Sequence, residues 1–134
     1  MKPQFMLSSL GLILTVSVSL SCGTNPRSQA QLQSIAVSPA TADGQVAQFV
    51  ATGYYVNPSY TVTPQPATWG ACYNGAPTTE VSVTTNGMAQ CASGAAGNYT
   101  VFAFVVTNPA CESVASNACG GGCTIVGSAQ LTCP

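Results

Sequence analysis

Side chains able to do chemistry are few in this 134-residue chain, and most of them are cysteines. The seven are Cys22, Cys72, Cys91, Cys111, Cys119, Cys123 and Cys133. Histidine is absent, so neither a Ser-His-Asp nor a Cys-His arrangement can be assembled. The carboxylates are Asp43, Glu80 and Glu112 alone. Glycoside hydrolysis needs two facing carboxyl groups about 5–9.5 Å apart. Asp43 stands before Gly44 and reads as a turn former, Glu80 as an outward strand residue, and Glu112 as a solvated loop residue. No catalytic pair and no cofactor are expected. Lys2 and Arg27 are the only basic residues, which excludes the clustered cations that nucleic-acid binding requires.

Four thiolates could hold zinc. Cys111, Cys119, Cys123 and Cys133 are separated by seven, three and nine residues, unlike the close pairs of common zinc modules. A redox pair would need a lowered thiol pKa, but no Cys-x-x-Cys occurs and no basic residue lies near the later cysteines. The structural use of cysteine is therefore favoured. With Cys22 set aside, six remain, an even number suited to disulfides in an oxidising compartment.

Cys22 is set aside because of its neighbours. Lys2 is followed by an almost wholly apolar run over residues 5–20, the layout of a secretory signal. The run ends in Ser21-Cys22-Gly23, which resembles a bacterial lipoprotein lipobox, with Ser19 where leucine is usual. That resemblance implies cleavage before Cys22 and acylation of its thiol. Stable anchoring needs more than one acyl chain, as a di- or triacylated cysteine would supply. Residues 1–21 then form the signal peptide. Residues 22–31 carry the lipid on a polar Pro-, Ser- and Gln-rich tether. Residues 32–134 form one domain.

Position in that domain falls to strands. Charged residues make up 4% of the chain and apolar residues 46%, so a packed core is possible without disorder. Thirteen glycines and nine prolines punctuate runs rich in Val, Thr and Tyr. The clearest run is residues 97–106. Tyr99, Val101, Ala103 and Val105 fall on one face, and Thr100, Phe102, Phe104 and Val106 on the other. Both faces are largely apolar, so this strand should be covered on both sides or sit centrally in a sheet near an edge of the core. Residues 32–38 form a strand stopped by Pro39, and Asp43-Gly44 tips a turn over 40–45. A second strand covers 45–55 with Phe49 as core anchor. Residues 56–66 read as an edge strand or a loop. Trp69, the only tryptophan, reads as a buried anchor within 67–73. Asn74-Gly75 and Asn86-Gly87 mark turns, the latter joining strands 79–85 and 88–92. Residues 123–133 form the last strand, with Ile125, Gly127, Ala129 and Leu131 on one face. Seven or eight short strands of this kind predict an all-β fold: a disulfide-stapled β-sandwich of two antiparallel sheets.

The strand order also constrains the bridges. If 99–107 and 124–132 pair as a hairpin, Cys133 falls near Cys91, while Cys111, Cys119 and Cys123 cluster at the loop end. Bridged Cα atoms lie within about 7 Å. The expected set is Cys91–Cys133, Cys72 with one of Cys111, Cys119 or Cys123 by way of a flexible 70–77 segment, and a bridge between the remaining two.

Several segments resemble bacterial immunoglobulin-like domains of the group 2 type. These are Leu32-Gln33-Ser34-Ile35-Ala36-Val37-Ser38-Pro39, Gln48-Phe49-Val50-Ala51-Thr52-Gly53, Thr68-Trp69, the run Val81 to Ala89 through Asn86-Gly87, and Gly97-Asn98-Tyr99-Thr100-Val101. The likeness covers residues 32–107, and the last strand extends it to Cys133. A similar arrangement occurs in small predicted lipoproteins of Acidobacteria-like bacteria. The cysteine set and the insertion between Thr107 and Thr124 depart from typical members. The resemblance implies an immunoglobulin-like sandwich and supplies no catalytic residue. Its members space, stiffen or bind.

The functional expectation is a non-enzymatic lipoprotein of the bacterial cell envelope. It would be held to the membrane by its lipid and would bind or space a partner, an envelope protein or a glycan. The competing expectation is a carbohydrate-binding module. Tyr54, Tyr55, Tyr60 and Tyr73, among prolines 58, 64 and 66, would form its aromatic surface.

Overall fold

Residues 97–106 organise the molecule, and the reason lies in their two apolar faces. A computed structural model describes residues 29–107, 119 and 124–134. The signal segment, Cys22, Cys111, Glu112 and Cys123 lie outside the described residues. Among the described residues eleven strands run in chain order: β1 Gln31–Ser38, β2 Thr41–Asp43, β3 Val46–Gln48, β4 Val50–Val56, β5 Tyr60–Val62, β6 Thr68–Tyr73, β7 Ala76–Pro77, β8 Val81–Val83, β9 Met88–Cys91, β10 Gly97–Val106 and β11 Thr124–Cys133.

These strands make an all-β structure of three sheets, ordered β2-β11-β10-β6-β7, β1-β4-β5 and β3-β9-β8. Strand β10 is central in the first. It pairs with β11 along its whole length, from Gly97 opposite Cys133 to Val106 opposite Thr124. On its other edge it pairs with β6, from Thr100 opposite Cys72 to Phe104 opposite Thr68. Tyr99, Val101 and Ala103 are essentially inaccessible and join the main core. Phe102 and Phe104 are buried on the opposite face with Cys72, beside Val106 and Cys119. The strand is thus covered on both sides, as its composition requires.

The main core draws on all three sheets. Ile35 and Val37 of β1, Ala51 of β4, Val81 of β8 and Ala89 of β9 meet Ala129 and Leu131 of β11. Close approach of β1 to β11 depends on Gly127. A Cβ there would stand 2.5 Å from the Ile35 carbonyl oxygen and 2.9 Å from its Cγ2. Glycine therefore occupies a core-facing position where any side chain would push two sheets apart.

Four local readings need correction. The single strand expected over 45–55 is two. The chain breaks at Phe49, whose N–H donates to the Gly87 carbonyl at 2.9 Å, so β3 and β4 enter different sheets. The expected turn over 40–45 contains β2, which pairs parallel to β11 with Thr41 opposite Gln130. The expected two antiparallel sheets are met in part: the described strands form three sheets with one parallel pair, an all-β structure consistent with a disulfide-stapled β-sandwich, and the other ladders are antiparallel. Asn86-Gly87 does not form a two-residue turn. A β-turn from Thr84 to Gly87 closes with a 3.0 Å bond, and Gly87 follows at φ 83°, the three-residue form of hairpin loop. Trp69 is only half-buried at the edge of the core, while Phe49 and Tyr99 are the large aromatic rings fully enclosed. Elsewhere the reading and the structure agree. Asn74-Gly75 turns β6 into β7 with φ of 50° and 79°, both positive as a type I′ turn requires. Of the two options for 56–66, an edge strand is present: β5 pairs on one side only, with β4.

Candidate functional site

The described cysteines are structural. Cys91 is bonded to Cys133 with Cα atoms 6.0 Å apart, and Cys72 to Cys119 at 5.9 Å. Both separations are ordinary for a disulfide. The first bridge is the pair named from the strand order. In the second, Cys72 joins one of its three expected partners, but not by the expected route. Residues 70–77 belong to the β6–β7 hairpin, whose pairing sets where Cys72 stands. Cys72 stays opposite Thr100, near the Cys133 end of β10, and its side chain belongs to the Phe102–Phe104 cluster. Cys133 belongs to the main core. The two bridges therefore lie on opposite faces of one sheet. A Cys111–Cys123 bridge falls outside the described residues. Cys119 and Cys133, weighed as zinc ligands, are disulfide-bonded and offer no thiolate. Among the described residues no group of three or more His, Cys, Asp or Glu could hold a metal.

The four tyrosines considered as a ligand surface are not brought together. Tyr55 and Tyr60 face each other across β4 and β5, with rings stacked at 4.7 Å and 3° between planes. The Tyr55 hydroxyl donates to Gln65 Oε1 at 3.0 Å. Tyr54 is next to Tyr55 on the same strand and so projects from the other side of the sheet; it is exposed. Tyr73 belongs to another sheet, where its ring meets Tyr99 at 5.0 Å.

Of the acids, Asp43 is exposed on β2, and Glu80 stands just before β8. Glu80 Oε2 accepts a 2.6 Å hydrogen bond from the Tyr99 hydroxyl. Ionising Tyr99 would remove that donor, and burial opposes the phenolate further. Together with the charge of Glu80, these effects push the phenol from 10.0 up to about 12. The folded state thus holds this proton more tightly than the unfolded chain. Its contribution to stability is complete below pH 10 and is lost as pH rises through about 12. Ultraviolet titration of tyrosinate should show one of the five tyrosines ionising near pH 12. Glu80→Gln should move that component down and Tyr99→Phe should abolish it. An unchanged titration in both variants would refute the pairing.

Two residues outside the expected surface line a cleft of their own. Trp69 and the buried Gln65 line a cleft of about 260 Å³, with Pro64 and Pro66 on one wall and Thr85 and Asn86 on the other. Gln65 is fixed by Tyr55 and by its own Nε2, which donates to the Pro66 carbonyl at 3.0 Å. Gly53 leaves it room, because a Cβ at that position would collide with the Gln65 amide. Gly87 does the same for the opposite wall: a Cβ there would meet the Phe49 carbonyl and, at 3.0 Å, the Trp69 ring. The sequence signal for Gln65 was a lone polar side chain between two prolines. Its burial depends on Tyr55, a contact no local pattern announces.

No protein-family model matches the chain. A search of curated proteins likewise finds no significant match.

Proposed function

We propose that the chain is an exported lipoprotein anchored through Cys22. Its immunoglobulin-like β-sandwich would serve as a non-catalytic binding or spacer module at the bacterial cell envelope. The observation that carries this reading is the pair of disulfides, Cys91–Cys133 and Cys72–Cys119. Bridges of this kind form and persist in oxidising compartments, and they support small domains that act outside the cytosol. The charge-poor composition, with three carboxylates and no histidine, supports a role without acid–base chemistry. The order of short strands and the resemblance over residues 32–107 support the immunoglobulin-like form.

Intact mass of the protein purified from membranes tests the anchor. The expected product begins at Cys22 and carries added acyl mass, and Cys22→Ser should move it to the soluble fraction. A soluble wild-type product without acyl mass would overturn the assignment. A second reading, carbohydrate binding by surface tyrosines, draws on the exposed Tyr60 ring stacked on Tyr55. Glycan binding that falls in Tyr60→Ala would favour it.

A further inference from the structure

The cleft beside Trp69 has the chemistry of a ligand site. Every residue that lines it is uncharged. Its polar wall is held in place from behind. Gln48 Nε2 donates to the Asn86 carbonyl at 2.8 Å, and the Thr84 hydroxyl donates to Asn86 Oδ1. This leaves the Asn86 Nδ2 amide as a donor. That amide, the Thr85 hydroxyl and the Trp69 indole N–H have no hydrogen-bond partner among the described residues. Trp69, Pro64 and Pro66 supply apolar surface beside these groups. An aromatic ring joined to a few placed amides and hydroxyls is the usual division of labour in a small-molecule site.

We propose that this cleft binds a single neutral pyranose ring of a glycan. A sugar ring has an apolar C–H face for the indole and hydroxyls for Asn86 and Thr85, which can donate or accept as required. A charged group would enter without a counter-charge, at high desolvation cost. A proline-rich peptide needs an extended aromatic groove. This cleft, at about 260 Å³, lies just under the roughly 300–1,000 Å³ of drug-sized pockets and accommodates one ring. The inference rests on the binding form of the function proposed above and moves the site from the tyrosines to Trp69.

Because Trp69 is the only tryptophan, intrinsic emission reads this cleft alone. The full chain, held in a detergent without a sugar headgroup, is titrated with the methyl glycosides of glucose, galactose, mannose and N-acetylglucosamine. Saturation-transfer NMR is run in parallel. At least one glycoside should give a saturable change, weakened at least tenfold in Asn86→Ala and weakened also in Thr85→Ala. Tyr54→Ala, whose exposed side chain projects from the other side of its sheet, should bind as the wild type does. No saturation by either readout would overturn the proposal. So would wild-type affinity in both cleft variants, loss of binding in Tyr54→Ala, or saturation by a proline-rich peptide in place of the sugars. Anchoring is read separately by mass, so failure of the sugar site and failure of the lipoprotein assignment remain distinguishable.

Discussion

Replacing Cys91 and Cys133 together by alanine is expected to lower the unfolding free energy by about 4 kcal/mol. The bridge closes a sequence separation of 42 residues, and the chain-entropy relation gives about 4 kcal/mol for a loop of that length. It also joins β9 of the β3-β9-β8 sheet to the end of β11 in the β2-β11-β10-β6-β7 sheet. Without it, the β3-β9-β8 sheet is held to the β10 sheet by core packing and by bonds such as the Tyr99 hydroxyl to Glu80 Oε2 at 2.6 Å. Domains of this size have about 5–15 kcal/mol in total, so one bridge is a large share. The melting temperature should fall by roughly 15–30 °C. Urea unfolding of the double variant against the wild type measures the loss. A difference under about 1 kcal/mol would show that the unfolded chain is already restrained there, or that the native bridge is under opposing strain.

That bridge was legible before the fold because it depends on one hairpin. Once β10 and β11 are read as antiparallel, Cys133 must fall opposite the start of β10, close to the end of β9. The strands themselves are long and patterned on both faces, which makes their register hard to mistake. Strand β2 offers no such pattern. Its three residues gain order only from β11, far along the chain, through bonds such as Gly44 N–H to the Thr132 carbonyl at 3.0 Å. The division of β3 from β4 was equally hidden. Apolar alternation continues through Phe49, and the break is imposed by the distant Gly87 carbonyl. The route of the Cys72 bridge failed for a related reason. Placement by strand end ignored which face of β10 each cysteine occupies.

The candidate site shows the same division between local and distant causes. Tyr54 and Tyr55 are consecutive on one strand, so the period of two already separates their faces. Stacking of Tyr55 on Tyr60 follows only from the β4–β5 register. The Trp69 cleft needs two loops from different parts of the chain, and its polar wall is set by Gln48 and Thr84, neither of which lines it. Spacing along the sequence carries none of this.

Phe49 and Trp69 can both be read from the sequence as core anchors, and the structure ranks them. Phe49→Ala should cost about 3–5 kcal/mol, the range for deleting a fully enclosed aromatic ring. Phe49 is 0% exposed and packs in the main core with residues of all three sheets. Its backbone bond to Gly87 survives the substitution, so the measured loss belongs to the ring. Trp69→Ala should cost less, below about 3 kcal/mol, although the deleted ring is larger. Trp69 is half-buried and borders the cleft, so part of its surface never leaves water on folding. Its removal widens an existing opening that solvent can enter, whereas removal of Phe49 leaves an enclosed void without partner atoms. Chemical denaturation followed by circular dichroism gives both values without relying on tryptophan emission. A larger loss in Trp69→Ala than in Phe49→Ala would mean that the core is centred on the indole. The cleft would then be part of that core, and the ligand site proposed for it would be lost as well.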